Sequence, residues 1–374
     1  MRTLVRNLMV RSLAFCLMGV VASSAAVPPP AKDDVVTVTM QRELHRAQEY
    51  LGKLDPAPYF TSYSIHDDDL VSITASQGGI INSSRLQHRT ADVVMRVGAN
   101  TLDNSHGTNR ISAISSGILP LEDDPDAITR MLWHLSYEEY RKATGAYLNV
   151  KSGTQVHAQE EDTSADFSHE SPQNFTDYST NSKVPEQAAL EKMIRQYSAY
   201  FLKYPHIYSS FATLTVRKNR LHFVSTEGSV IVHPSVMVRL VIEAETRSDD
   251  GMESIRAETF AGESVEQLPG EAEIRARVEK MASDLKALRT APLAEPFAGP
   301  ALLSGRAAAV FFHEVLGHRL EGHRQRGEQE GQTFTKKINQ QVLPEFLSVT
   351  DDPTERTLNG TKLAGWYQYD EEGV

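Results

Sequence analysis

Apolar residues recur at helical spacing in several stretches of this chain and at strand spacing between them. From Asp34 to about Lys53, Leu44, Ala47 and Leu51 share one helical face, and Asp55-Pro56-Ala57-Pro58 stops that helix. The period then shortens. Tyr59–Ile65 and Leu70–Ala75 read as strands joined by a turn at Asp67-Asp68-Asp69, Gly78-Gly79 makes a second turn into Ile80-Ile81, and Ala91–Val97 adds a strand. Asp124-Pro125 sets an N-cap followed by proline at the first helical position. It predicts a helix to about Lys151 with Ile128, Leu132, Leu135 and Tyr140 on its apolar face.

The polar, acidic stretch from about Gln159 to Asn181 reads as a loop, and a helix follows over about Pro185 to Leu202. Ala212–Arg217, Leu221–Thr226, Ser229–His233, Val236–Thr246 and Ser254–Phe260 predict hairpins turning at Lys218-Asn219 and Glu227-Gly228. Glu271 to about Leu288 predicts a charged surface helix. Pro292 to Pro300, with three prolines, is the expected linker. The pattern describes an α+β protein in which helices pack on a curved antiparallel sheet. The expected division is 1–26, a signal peptide; 27–291, an N-terminal domain; and 292–374, the linker, a histidine-bearing helix and the start of a mostly β C-terminal domain.

The first 26 residues differ from the rest. Arg2, Arg6 and Arg11 precede an apolar run ending in Ser24-Ala25-Ala26, the pattern of a secretory signal that leaves no membrane anchor once cleaved. Its removal takes three arginines and the single cysteine, Cys16, and moves the formal charge from -11 to -14. An acidic mature chain without cysteine excludes disulfides and thiolate ligands and argues against a nucleic-acid partner. A periplasmic or extracellular location is expected.

The candidate chemistry lies in Phe311-Phe312-His313-Glu314-Val315-Leu316-Gly317-His318, followed by Leu320-Glu321-Gly322-His323. Two histidines bracketing a glutamate after an apolar run could hold a divalent metal and activate water. The spacing is unusual. Zinc-hydrolase helices place their histidines four apart, whereas His313 and His318 are five apart, about 140° of rotation and roughly 7.5 Å of rise in a regular helix. Both rings reach one metal only if a π-type bulge returns the second to the same face, or if the helix ends near Gly317. A local break is therefore predicted. The competing reading is a surface pair of Glu314 and His318 with the other histidines incidental.

Gly305 through Gly322, GRAAAVFFHEVLGHRLEG, resembles the core signature of the TldD/PmbA family, also called the modulator-of-gyrase family. The likeness continues at Thr350-Asp351-Asp352-Pro353-Thr354 and Asp370-Glu371-Glu372-Gly373. It covers the mature chain but only about the N-terminal two-thirds of a typical member, so a C-terminally truncated product is expected from the abrupt ending. The resemblance implies a zinc-dependent metallopeptidase that cleaves peptides or unfolded segments, as a homodimer or with a paired family subunit. It implies that His313 and His318 are metal ligands and Glu314 the catalytic base. The family's third ligand is a cysteine far downstream; His323, then Glu321, are the substitutes within this sequence. The alternatives are a non-catalytic PmbA-like partner subunit or a truncated inactive fragment.

Four further features point to no site. Asp67-Asp68-Asp69 could bind calcium but reads as a turn, and Arg85–Arg89 reads as a solvated loop or strand end. His206, His222 and His233 carry no expected role. Tyr137, Tyr140 and Tyr147 recur at helical spacing as core or domain-contact residues.

Overall fold

The computed structural model describes residues 34–106, 112, 114–154, 164–177, 185–322, 324, 333–363, 366–370 and 372–374. The expected leader over 1–26 lies outside the described residues. The first helix, α1 (Val35–Leu51), starts at Asp34, whose carboxylate accepts the Thr37 backbone N–H at 3.0 Å. It buries Leu44, Ala47 and Leu51, as the spacing predicts. Strands β1 (Pro58–Ser76) and β2 (Gly79–Ala99) form a long hairpin. Its turn residues Gln77 and Gly78 both have positive φ, 48° and 80°, the twist a two-residue hairpin requires.

Short strands β3 (Leu102–Asp103) and β4 (Ile114–Leu119) then flank β2. Helix α2 (Pro125–Thr154) is capped by Asp124 and buries Ile128, Leu132, Leu135 and Tyr140, the predicted face. The expected loop after it contains β5 (Asn174–Thr176), which pairs in parallel with a later strand. Helix α3 (Gln187–Ala199) and one 3-10 turn lead into three antiparallel strands, β6 (Ser209–Ser225), β7 (Val230–Arg247) and β8 (Glu253–Gly262). Helix α4 (Glu271–Leu288) matches the predicted span.

The sheet runs β3-β2-β1-β6-β7-β5, with β4 added to β2 and β8 to β7. Four of its strands are 17 to 21 residues long, roughly 55–70 Å at 3.3 Å per residue. One helix pair cannot cover that length, so the core is divided. At one end α1 and α2 pack on Tyr63, Ile65, Ala91 and Val93; at the other, α3 and α4 pack on Val71, Ile73, Leu214 and Leu240. The mixed α+β class and the antiparallel sheet agree with the sequence reading.

The stretch between the two helix pairs departs from it. Asp67-Asp68-Asp69 is not a turn: β1 runs straight through it, paired on one side with Arg89–Gln87 and on the other with Arg220–Lys218. Lys218-Asn219 is likewise inside β6, and Arg85–Arg89 lies inside β2. Ser229–His233 and Val236–Thr246 merge into the single strand β7. The physical reason is cross-strand neutralisation. Arg85 pairs with Asp69 at 2.6 Å, Arg217 with Asp68 at 2.6 Å, and Arg89 grips Asp67 through Nε and Nη2 and Asp123 at 2.9 Å. Charges that read as turn punctuation along the chain are partners across it.

Side-chain alternation puts Asp67 and Arg89 on the helix-bearing face, where they line a cleft of about 340 Å³ together with Lys218 and Asn219. Beside it His222 is almost wholly buried. Its Nδ1 lies 2.8 Å from the Thr37 hydroxyl, which donates to Asp34 at 2.7 Å, and its Nε2 lies 3.7 Å from Asp67. Burial alone would lower the His222 pKa, but the nearby carboxylates of Asp34 and Asp67 outweigh that and raise it. Burial would raise Asp67, yet His222 and Arg89 bring it down to about 2. His222 thus ties the start of α1 to the middle of the sheet.

The opposite face of the sheet receives the end of the chain. Phe223, Leu221 and Ile231 pack there with Phe175 and Tyr369. Trp366 donates its indole N–H to Glu263 at 2.6 Å, meets the His233 ring edge-on at 5.4 Å, and is covered by the Arg356 guanidinium. Residues 291–304 between α4 and the next helix have no helix or strand and are exposed throughout.

Two outcomes are expected. The raised His222 pKa gives a stabilisation that is complete below the free imidazole value of about 6.5 and is lost as pH rises through the folded-state value; the lowered pKa values of Asp34 and Asp67 act only in acid. The urea midpoint should therefore fall more between about pH 6 and 9 in the native protein than in His222→Gln; parallel curves would contradict this. Second, Trp366→Ala should speed limited proteolysis within residues 353–374 while leaving the urea midpoint of the helix-covered sheet in place. Unchanged protease protection would show that Trp366 does not hold the segment.

Candidate metal centre

Helix α5 (Gly305–Phe312) carries the apolar run. Ser304 precedes it and makes no side-chain cap bond. Arg306 fastens the helix to β8, donating to the Ala257 carbonyl at 3.3 Å and to Glu258 at 3.2 Å.

At His313 the helix changes pitch. Residues His313–Gly317 form a π-helical turn, and a last α-turn, His318–Leu320, follows. The wider turn adds one residue to the circuit, so positions five apart stack where four would in an α-helix. This is the break that the five-residue spacing predicts. Gly317 keeps a helical φ of -53° within the turn. A Cβ there would meet His313 Nδ1 at 3.9 Å, an ordinary contact that a larger side chain would tighten.

The consequence is that the two rings face each other, with centroids 4.4 Å apart and planes at 68°. Glu314 lies between them: Oε1 is 3.9 Å from His313 Nε2 and Oε2 is 3.8 Å from His318 Nε2. One ligand atom from each of His313, Glu314 and His318 falls within 4.8 Å of the others, and among the described residues these three form the group able to hold a metal ion. Tetrahedral coordination at 2.0–2.1 Å needs its donors about 3.4 Å apart, a small closure from this arrangement. Two imidazoles suit a divalent cation of intermediate softness, and the carboxylate beside them suits a water bound to it, so the residues present fit a metal.

The site is open on one side. The side chains of His313 and Glu314 are 62% and 61% exposed, that of His318 31%, while Leu316, 6% exposed, points inward and seats the turn. Glu321 stands just beyond the helix end, where ψ swings to 125°. Its Oε1 lies 2.7 Å from His318 Nδ1, and its Oε2 accepts from Arg324 Nε at 2.6 Å. The hydrogen bond from His318 and the Arg324 charge hold the Glu321 carboxyl below its ordinary range. As placed, Glu321 engages the nitrogen of His318 that faces away from Glu314. His323, the first substitute ligand from the sequence, lies outside the described residues.

Residues 298–374 match the family model described as the PmbA/TldA metallopeptidase C-terminal domain. Over this segment the chain is similar to the TldD/PmbA family. Among solved structures, a candidate modulator of DNA gyrase from Bacteroides thetaiotaomicron shares the fold at TM-score 0.50 and 10% identity, over 89% of this chain and 67% of that one. TldE from Thermococcus kodakarensis matches at TM-score 0.41 and 10% identity, over 66% of this chain and 47% of that one. A candidate gyrase modulator from Thermotoga maritima matches at TM-score 0.40 and 11% identity, over 65% and 47%. The alignments thus span about half the length of the latter two proteins. No curated protein sequence matches the chain significantly. No helix among the described residues is long and apolar enough to cross a membrane.

The sequence singles out His313, Glu314 and His318, which lie together here, and the backbone break between them. Sequence reasoning missed the His222 network, whose only signal was a histidine inside an apolar strand, and the Trp366 contact, whose signal was a lone tryptophan in a polar tail.

Proposed function

We propose that this TldD/PmbA-family chain is an exported, zinc-dependent metallopeptidase that hydrolyses peptides or unfolded segments. The observation that carries the reading is the π-helical turn that faces His313 Nε2 and His318 Nε2 across the Glu314 carboxylate. His313 and His318 would hold the ion. Zinc in such a site polarises a carbonyl and brings the pKa of water toward neutrality. Glu314, reaching toward both rings, takes the proton of the attacking water and delivers it to the leaving amine. Its exposure lets an extended substrate approach from solvent. A third donor would come from His323, then Glu321, or, as the family resemblance implies, from a cysteine far downstream. Assembly as a homodimer or with a second family subunit belongs to the same proposal, as does a periplasmic or extracellular location for the leader over 1–26.

Hydrolysis of an unstructured fluorogenic peptide by the zinc-loaded protein tests the reading. Glu314→Gln should lower the rate by about 10²–10⁴-fold and leave the zinc content intact. His313→Ala and His318→Ala should each bind zinc far more weakly. Undiminished hydrolysis by Glu314→Gln would overturn the assignment. Zinc uptake without hydrolysis in the native protein would instead favour the non-catalytic partner subunit.

A further inference from the structure

The two imidazoles of the site are not held alike. His318 is the less exposed, and its Nδ1 stands 2.7 Å from a carboxylate oxygen of Glu321. That carboxylate is itself held: its second oxygen accepts from Arg324 Nε at 2.6 Å, and the Arg324 backbone N–H closes the turn on the Glu321 carbonyl at 3.1 Å. The helix ends at Leu320, so Glu321 leaves the helical path and folds back over the turn that carries His318.

We propose that Glu321 is the positioning residue of His318, fixing the tautomer and the ring angle that direct its Nε2 lone pair toward Glu314. An ionised carboxylate only accepts hydrogen bonds, so the 2.7 Å contact requires the proton on Nδ1. The neutral ring then has its lone pair on Nε2, the nitrogen 3.8 Å from Glu314 and on the side where His313 Nε2 also lies. An unheld neutral imidazole favours the opposite tautomer, with Nε2 protonated and unable to ligate. Carboxylate–histidine pairs of this kind orient the ring and raise its basicity as a ligand. Arg324 keeps Glu321 from swinging into solvent or onto the ion. The i, i+3 spacing of His318 and Glu321 supplies the reach, and the helix stop at Leu320 supplies the direction.

The inference rests on the proposed metal site, and its test separates the two. In metal-free protein at about pH 8, where an ordinary imidazole is neutral, ¹⁵N chemical shifts of His318 report the tautomer directly. The native protein should show Nδ1–H, and Glu321→Ala should move the ring toward Nε2–H. Glu321→Gln, whose amide oxygen can still accept, should restore Nδ1–H. Zinc affinity from competition with a chromophoric chelator should fall about 10–100-fold in Glu321→Ala and recover in part in Glu321→Gln, with circular dichroism unchanged in both. An unshifted His318 tautomer in Glu321→Ala overturns the inference, as does a shifted tautomer with native zinc affinity. A native protein that takes up no zinc sinks the peptidase reading itself, a failure seen before any substitution is made.

Discussion

A backbone that turns every 3.6 residues carries residues five apart to different sides, and no side-chain rotation brings both imidazoles onto one small ion from there. The widened turn over His313–Gly317 removes that obstacle, and everything the site can do depends on it. It sets the 4.4 Å approach of the rings, puts Glu314 between them, and leaves the outer nitrogen of His318 to a carboxylate beyond the helix end. A π turn is less favourable than an α turn, and such turns persist where surrounding contacts require them. Here Leu316 is buried beneath the turn, Arg306 holds the preceding helix to β8, and the Glu321–Arg324 pair closes the far side.

The sheet supplies the platform by a different physical route. Its strands are too long for one layer of helices, so two pairs cover the ends and leave a polar waist between them. Charges at that waist are neutralised between strands by Arg85, Arg89 and Arg217 against three consecutive aspartates. A half-neutralised set would be destabilising, since a buried charge left alone loses its solvation without return. His222 extends the set to the start of α1 and so couples a helix end to the centre of the sheet. The far face receives Trp366 and Tyr369, which fasten the residues after the histidine-bearing helix back onto β6 and β7.

Helices were legible because their buried faces repeat at a period that nothing else mimics: Leu44, Ala47 and Leu51 in α1, and Ile128, Leu132 and Leu135 in α2, all lie where the spacing puts them. The long strands were not, because polarity along a chain does not distinguish a turn from a strand crossing a polar zone. Asp67–Asp69 and Lys218-Asn219 carry turn-like composition, and only the pairing across strands shows why the chain keeps straight. The backbone break at the candidate ligands was legible for the opposite reason. The mismatch between a five-residue spacing and helical pitch is a local conflict, and a local conflict at candidate ligands predicts a local distortion. The role of Glu321 was not, since its spacing from His318 fits a ligand and an orienting partner equally; the direction of the His318 ring separates the two.

X-ray absorption at the zinc edge of the loaded protein counts the imidazoles on the ion and so addresses the widened turn itself. The geometry predicts at least two imidazole nitrogens at about 2.0–2.1 Å, and one fewer when either His313 or His318 is replaced by alanine and the protein is loaded at excess zinc. A spectrum with a single imidazole in the native protein, or one that either replacement leaves unchanged, would contradict the shared site.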